Sequence, residues 1–407
     1  MSTIDPNLRI GSVALAVSDL GRSADFYERV LGLPLIEREE HSARLGPDPR
    51  RAALVLSDIA DPTPLPPGAT GLYHVAWLHP DRAVLAESVR RVAAARWPFE
   101  GASDHGVSEA LYLSDPDGLG IELYADRPRE RWERPADGNG VRMVTLPLDL
   151  DDLLAQFTDE PALEVSPDTG IGHVHLKVAD VPRAAAFYRD ALGLEEQAQL
   201  PSAAFLAAGG YHHHVGLNSW QSQGAAGAPD SAPGLRAIEF ELAGEDALDA
   251  LERTLADADA ASQPSLARGA DGELTVRDPD GQLLSFAHSL AARWPRHVLR
   301  ERGSRPARFE RPARRRSCSA WPVRWRAASA TAIPRSGRFC PERRSNARCC
   351  KIATAGARTD GSGHRRAPRT CCCSPTPRRT SRAGTSTAGA RTGAFTTPAK
   401  ANAAISR

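Results

Sequence analysis

The sequence predicts an α+β fold built from four βαβββ modules, because two phrases within its first 290 residues are repeated. The phrase at 19–33 returns at 180–194, an offset of 161 residues. The turn sequence Asp-Pro-Asp-Gly at 115–118 returns at 278–281, an offset of 163 residues. Repetition at such a spacing indicates a duplicated architecture. Strand and helix patterns around the two phrases divide the repeated region into four similar segments.

The first segment, 8–58, opens with an alternating strand at 13–17 and continues into a helix that Asp19 or Ser23 could cap. Apolar residues at helical spacing predict the buried face of this helix. Gly32 predicts its end, since glycine tolerates the left-handed turn found there. Short strands complete the segment.

The second segment, 70–126, has the same order of elements. A strand is predicted at 73–78 and a helix from about 81 to 95. A hairpin follows, and it turns at 115–118, where Pro and Gly favour a chain reversal.

The third and fourth segments, 170–220 and 233–289, repeat this order. Their main strands and helices are predicted at 173–178, from 182 onward, at 212–215, at 237–242 and at 245–258.

The distribution of charge indicates where the folded region ends. Residues 1–290 hold 23 Lys and Arg against 46 Asp and Glu, whereas 291–407 hold 28 against 4 and also contain all seven cysteines. We therefore predict a first domain at 8–126 and a second at 170–289. A linker at 127–169 joins them, and a disordered basic tail follows.

The tail shows no hydrophobic period and cannot bury enough apolar surface to offset the ordering of its chain. One interpretation is a basic arm for nucleic acid. We instead predict a disordered extension, or an out-of-frame translation of a GC-rich gene, and no nucleic-acid partner. The cysteines lack regular spacing with histidine, so no zinc site is predicted.

The hydropathy of the sequence indicates the cellular location to expect. No apolar run approaches the ~18 residues that span a membrane. The first residues show no basic patch followed by an apolar stretch, as a secretory signal would. A cytoplasmic location without a membrane partner is therefore expected.

The modules resemble the vicinal-oxygen-chelate superfamily, whose glyoxalase-like βαβββ units pair into half-barrels around a metal. More narrowly, the chain is similar to the bacterial catechol 2,3-dioxygenase group of extradiol ring-cleaving enzymes, which have four modules. The stretches that carry the resemblance are 71–74, 107–118, 121–128, 172–176 and 209–214. The resemblance implies two half-barrel domains and a role in aromatic catabolism.

The resemblance also implies a metal site, because this family takes its ligands from the first and last strands of modules. The matching residues here are His74, His173 and Glu122. Two histidines and one carboxylate commonly hold Fe(II) in non-haem oxygenases and leave positions open for substrate and O2. We therefore predict Fe(II), with Mn(II) as the alternative, and O2 as co-substrate.

The corresponding places in segments 1 and 4 hold no ligand: they are Ser12, Ala237 and Ser285. A complete site therefore requires segments 2 and 3 to face one cavity, within one chain or across a dimer. This departs from the family pattern, in which the C-terminal pair of modules supplies the ligands. A separation above ~10 Å between His74 and His173 would exclude the hypothesis, because ligand bonds are only ~2.0–2.2 Å long.

Three catalytic residues are implied by the same resemblance. His214 matches a histidine that handles the proton, Tyr112 matches a tyrosine that binds the deprotonated substrate oxygen, and His105 matches a hydrogen-bonding histidine. Such groups act through matched pKa values and charge stabilisation in a dry cavity. His175 shares a strand face with His173 and could lie beside the ligands or be a buried hydrogen-bonding group.

Two other histidines precede His214. The alternation of a strand would place His212 on the face of His214 and turn His213 away. Neither is predicted to be catalytic.

Three functions remain open. The first is an extradiol dioxygenase, expected to be a homo-oligomer, that acts on a small aromatic diol. The second is a glyoxalase-like isomerase, lyase or thiol transferase with another divalent metal. The third is a metal-free protein that sequesters a planar ligand. The fold supports all three. His214 favours the dioxygenase, because isomerases of this superfamily typically place a carboxylate there.

Overall fold

A computed structural model describes residues 3–136, 138–257, 266–269 and 272–288. The predicted tail at 291–407, with all seven cysteines, lies outside these residues. Within the described residues, none of the helices has the length and apolar character needed to cross a membrane.

The first two modules each consist of a strand, a helix and three further strands, as predicted. The first contains β1 (Arg9–Val17), α1 (Leu20–Arg29), β2 (Leu35–Arg38), β3 (Ser42–Leu45) and β4 (Leu54–Asp58). The second contains β5 (Gly71–His79), α2 (Arg82–Ala94), β6 (Gly101–Asp104), β7 (Ser108–Ser114) and β8 (Gly120–Asp126).

The predicted linker carries two short helical segments, a 3₁₀ turn at Arg129–Arg131 and α3 (Leu150–Leu154). The third module contains β9 (Gly170–Lys177), α4 (Val181–Ala186) with a π-helical continuation at Phe187–Ala191, β10 (Glu195–Leu200), β11 (Ala203–Ala207) and β12 (Val215–Asn218). The fourth contains β13 (Gly234–Leu242), α5 (Glu245–Asp257), β14 (Ala267–Arg268), β15 (Leu274–Arg277) and β16 (Leu283–His288).

The aspartate that opens each copy of the repeated phrase caps a helix. Asp19 accepts a hydrogen bond from the backbone N–H of Arg22 and begins α1. Asp180 does the same for Arg183 at the start of α4. A capping carboxylate satisfies a backbone donor that has no partner inside the helix, and it is worth about 1 kcal/mol.

Strand pairing joins modules from opposite halves of the chain. β5 of module 2 runs antiparallel to β9 of module 3, and β1 of module 1 runs antiparallel to β13 of module 4. Two eight-stranded units result. One has the order β6-β7-β8-β5-β9-β12-β11-β10, and the other has the order β14-β15-β16-β13-β1-β4-β3-β2. They meet where Ile10 of β1 pairs with Ile171 of β9.

This arrangement is a glyoxalase-like fold, a mixed sheet with helices and repeated domains, and the predicted fold class is confirmed. The domain boundaries 8–126 and 170–289 stay a prediction, and the strand pairing runs across them.

Each central strand has one face in the hydrophobic core, and its other face carries buried polar side chains. On β9, Val174 and Leu176 are fully buried in the core. Alternation therefore turns His173 and His175 to the opposite face. On β5, Val75 and Trp77 likewise lie in the core. Polar residues in the middle of buried strands thus converge on one side of the sheet.

The Asp-Pro-Asp-Gly turns also bind the helix of the neighbouring module. Asp115 Oδ1 accepts hydrogen bonds from the backbone N–H groups of Asp117 and Leu119, both at 2.8 Å, and Oδ2 accepts one from the Tyr27 hydroxyl at 3.2 Å. In the second copy, the Tyr188 hydroxyl donates to Asp278 at 3.0 Å. The two repeated phrases are therefore in contact, which explains why they recur together.

The prediction of a strand through 212–215 is wrong, because β12 begins only at Val215. Gly209 and Gly210 have φ values of 60° and 65°, in the left-handed region that glycine tolerates, and form a turn. The three histidines that follow lie in this loop before the strand. Strand alternation consequently does not decide which of them lies nearest to His173.

Candidate metal centre

Three neighbouring strands place His74, Glu122 and His173 in one buried cluster. Ala76 of β5 pairs with Glu122 on one side and with His173 on the other. The small Ala76 side chain leaves the space above the sheet to these two residues. His74 lies two positions before Ala76, so it points to the same face.

The three ligand atoms lie very close together. His74 Nε2 is 2.9 Å from Glu122 Oε2 and 3.3 Å from His173 Nε2. His173 Nε2 is 3.1 Å from the same Glu122 oxygen. Within the described part of the chain, this is the one group of three such residues that could hold a metal ion.

These separations fit a single ion. Two ligand atoms that are each 2.1 Å from an ion, at right angles to one another, lie about 3.0 Å apart. The observed values of 2.9–3.3 Å match this face of an octahedron. The residues present therefore fit a two-histidine, one-carboxylate site.

Gly120 allows β8 to approach β5 at the cluster. It pairs with His74, and a Cβ at this position would lie 3.1 Å from the His74 Cβ and would collide with the carbonyl oxygen of Tyr73. Only glycine fits here. The close approach that it permits places Glu122 beside the two imidazoles.

The electrostatics of the cluster favour the protonation states that a metal needs. Burial alone would raise the pKa of the Glu122 carboxyl, but the adjacent His173 and His74 hold it well below its ordinary value. Burial lowers the pKa of His173 to about 4. A carboxylate and a neutral imidazole are the forms that bind metals.

Tyr112 and His105 form a hydrogen-bonded pair next to the cluster. The Tyr112 ring lies 5.8 Å from the His74 ring. His105 Nδ1 lies 2.7 Å from the Val144 carbonyl oxygen, which can only accept, so Nδ1 carries the proton. His105 Nε2 is then the acceptor for the Tyr112 hydroxyl at 2.6 Å. The structure thus brings these two predicted residues together, with linker residue Val144 fixing the tautomer.

His213 is the histidine of the loop whose ring lies against the cluster, with ring centroids 4.0 Å from His173. A chain of contacts sets its tautomer. Asp126 accepts a hydrogen bond from His212 Nε2 at 2.9 Å, which leaves His212 Nδ1 as an acceptor. His213 Nδ1, at 2.8 Å, donates to it. His213 Nε2 is therefore unprotonated.

His214 is placed differently. Its Nδ1 accepts a hydrogen bond from the backbone N–H of Ala208 at 3.2 Å, and its ring contacts Tyr211 at 5.0 Å. Burial lowers its pKa to about 3. The register of β12 puts Gly216 opposite His175, the place that corresponds to Glu122 in module 2. The catalytic role of His214 stays a prediction.

Two residues at one wall of the site, Tyr73 and Trp220, were not predicted from the sequence. The ring of His175 lies 5.0 Å from that of His74 and contacts Tyr73 and Trp220 at 5.1 and 5.7 Å. Tyr73 and Trp220 are among the few exposed large apolar residues described, at 36% and 51%. Tyr73 lies in the irregular pairing between Leu72 and His74, which strand periodicity cannot foresee.

A protein-family model matches residues 9–123 and 170–286. It describes the Glyoxalase/Bleomycin resistance protein/Dioxygenase superfamily. The chain belongs to this superfamily. The predicted vicinal-oxygen-chelate resemblance is confirmed.

Relatives agree with this membership. The chain is 42% identical over 252 residues to a protein named catechol-2,3-dioxygenase from Bacillus subtilis (strain 168), a match that covers 61% of this chain and 88% of the relative. This similarity confirms the predicted catechol 2,3-dioxygenase-like character of the chain.

One solved structure supports the fold, and a second aligns less closely. A crystal structure assigned as a dioxygenase from Bacillus subtilis subsp. subtilis str. 168 aligns with a TM-score of 0.51 at 15% identity, over 70% of this chain and 86% of the other. Glyoxalase I from Zea mays aligns with a TM-score of 0.43 at 17% identity, over 70% and 94%.

Proposed function

We propose that this chain is an Fe(II)-dependent extradiol dioxygenase that opens the ring of a catechol-type aromatic diol with O2. The observation that carries the proposal is the buried cluster of His74, Glu122 and His173, whose ligand atoms fit one ion. The similarity to a catechol-2,3-dioxygenase supports the same activity. Aromatic catabolism, a cytoplasmic location and a homo-oligomer stay predictions.

His74, His173 and Glu122 would hold the ion, and Mn(II) suits the same donors. When bound, Fe(II) would supply Lewis acidity to the diol oxygens and electrons to O2. The remaining groups of the site act on protons and on position.

Tyr112 and His105 would remove one proton from the substrate. The Tyr112 hydroxyl donates to His105 Nε2, so its lone pairs are free to accept a proton from a substrate hydroxyl. As that proton arrives, the Tyr112 proton moves to His105, and Tyr112 stays neutral. Burial and the Glu122 charge raise the pKa of Tyr112 well above its ordinary value, which favours such a transfer over a free tyrosinate.

His213 is the residue that we propose for the second proton, in preference to the predicted His214. Its unprotonated Nε2 and its contact with His173 support this choice. Both protons return to the ring-opened product, which contains both atoms of O2 and in which a carbon–carbon bond beside the diol is broken.

The decisive experiment is anaerobic reconstitution of the full chain with Fe(II), followed by metal analysis and O2 uptake with catechol. We expect about one iron per chain, equimolar consumption of O2 and catechol, and a yellow ring-fission product. Bound zinc or nickel without O2 uptake would instead favour a glyoxalase-like enzyme, and failure to bind any metal would favour a binding protein.

The choice between the two histidines has its own test. We expect His213→Ala to lower kcat by about 10²- to 10⁴-fold, the usual contribution of a proton-transfer group, while iron content is kept. His214→Ala serves as the matched control and should change kcat far less. A larger loss of kcat in His214→Ala than in His213→Ala would restore the assignment to His214.

A further inference from the structure

The two ends of the site differ in character. At one end the hydroxyls of Tyr124 and Tyr211 lie 2.8 Å apart, and both side chains are buried. At the other end the rings of Tyr73 and Trp220 lie 5.5 Å apart and are partly exposed. A substrate would therefore enter, and extend outward, past Tyr73 and Trp220.

Lys177 lies at this open end. It is the only lysine among residues 1–290, and it lies on the same face of β9 as His173 and His175. It is two residues beyond His175, or roughly 7 Å along the strand. Its pairing partner is Gly71, where an added Cβ would meet nothing within 4 Å. Open space thus lies beside the lysine.

No carboxylate in the described part of the chain neutralises the ammonium group of Lys177. No described residue forms an ion pair or side-chain hydrogen bond with it, although the side chain is half-buried. Burial lowers its pKa, and no neighbouring acid opposes that effect. A half-buried, unpaired cation is costly, and such groups are normally paired.

Asn218 supplies a second unused donor at the same place. It pairs with Lys177 across β12 and β9, so the two side chains share a face of the sheet. Its Oδ1 accepts a hydrogen bond from the backbone N–H of Trp220, which fixes the orientation of the amide. Its Nδ2 is buried without a partner, and the residue is only 1% exposed.

We infer that Lys177 and Asn218 form a subsite for an anionic ring substituent, and that the preferred substrate is a catechol that carries a carboxylate. The inference rests on the proposed dioxygenase function. A carboxylate at this position would pair with the ammonium and accept the free Asn218 N–H. Tyr73 and Trp220 would flank the arm that bears it.

The first test compares two substrates of similar size, 3,4-dihydroxyphenylacetate and uncharged 4-ethylcatechol, with the iron-loaded full chain. We expect kcat/KM to favour the carboxylate by about 10- to 100-fold, the range of a hydrogen bond to a charged group. Lys177→Met should remove this preference and leave 4-ethylcatechol turnover unchanged. Lys177→Arg, which keeps the charge, should retain most of it.

Asn218→Asp gives an independent variant of nearly the same shape. Its carboxylate still accepts the Trp220 N–H but pairs with Lys177 and repels an anion. We expect the preference for the carboxylate to disappear while the thermal midpoint stays close to that of the wild type. Cleavage of both diols with equal kcat/KM in all variants would overturn the subsite and leave the proposed function standing.

A binding measurement tests the subsite independently of the dioxygenase function. Acetic anhydride labelling of Lys177, followed by peptide mass spectrometry, requires no turnover. We expect 3,4-dihydroxyphenylacetate to protect Lys177 and 4-ethylcatechol not to protect it. Protection without ring cleavage of any diol would support the subsite while removing the dioxygenase, and equal labelling with both compounds would remove the subsite.

Discussion

Glu122 contacts both imidazoles of the cluster, and its carboxylate would neutralise half of the charge of a divalent ion held there. We expect Glu122→Ala to lower iron affinity by more than the 10- to 100-fold that outer residues of a metal site contribute, and to abolish turnover. Metal analysis after dialysis against a weak chelator measures this. Glu239→Gln is the matched control, since Glu239 is a buried glutamate of the other eight-stranded unit and should leave iron content unchanged. An iron content equal to the wild type in Glu122→Ala would contradict the site.

Tyr112 and His105 should behave as one unit, because the Tyr112 hydroxyl donates a hydrogen bond to His105 Nε2. We expect Tyr112→Phe and His105→Gln each to lower kcat by about 10²-fold or more with iron retained. The double variant should be little worse than either single one, since residues that share a network are not additive. A Tyr188→Phe variant controls for the loss of a buried tyrosine hydroxyl. Additive losses would show that the two residues act separately.

The sequence predicts the placement of side chains on regular strands better than their placement in loops. His74, Glu122 and His173 lie on β5, β8 and β9, where spacing fixes the face to which a side chain points. The sequence could not show that the His213 ring lies nearest to His173, because the turn at Gly209 and Gly210 delays the start of β12.

At the scale of the elements, the aspartates of the repeated turns couple stability to pH. Burial raises the pKa of Asp115 and of Asp278 to about 6, from 3.8. A raised pKa means that the protonated form is favoured in the folded state. The stabilisation is fully present below pH 3.8 and is lost as the pH rises through about 6. Each group accounts for about 2–3 kcal/mol across that interval.

An asparagine imitates the protonated aspartate at this position. In Asp115→Asn the amide oxygen can keep the two backbone bonds and the NH2 can donate to Tyr27. We expect the free energy of unfolding of the variant, relative to the wild type, to rise by about 2 kcal/mol between pH 4 and pH 7. Urea unfolding at both values measures this. Asp25→Asn, at an exposed position on α1, should show no such change, and a flat difference for Asp115→Asn would contradict the raised pKa.

The elements themselves were largely predictable because their boundaries carry explicit signals. The helix predicted from 81 to 95 is observed at Arg82–Ala94, and that predicted at 245–258 is observed at Glu245–Asp257. Asp81 and Gly32, at a helix start and a helix end, carry the chemistry that decides these limits. The two helical segments of the linker were not predicted because they are only about one turn long, although Asp149 caps α3 in the same way.

At the scale of the whole molecule, the candidate ligands His74, Glu122 and His173 already predicted that modules 2 and 3 pair with one another. Modules 1 and 4 offer no ligand, so a complete site required modules 2 and 3 to meet. The antiparallel pairing of β5 with β9 shows that they do so within one chain. What the sequence could not indicate is that β1 and β9 continue one sheet through both units.

This pairing would make a bound metal a link between the two halves of the chain, because His74 and Glu122 precede the linker and His173 follows it. An ion that binds only the folded state stabilises it by about 2.7 kcal/mol at 100 times its dissociation constant. We expect removal of metal with a chelator to lower the thermal midpoint by roughly 5–10 °C. The shift should vanish in Glu122→Ala and persist in Glu239→Gln. A shift of the same size in Glu122→Ala would mean that the stabilising ion binds elsewhere, and that the cluster does not join the two halves.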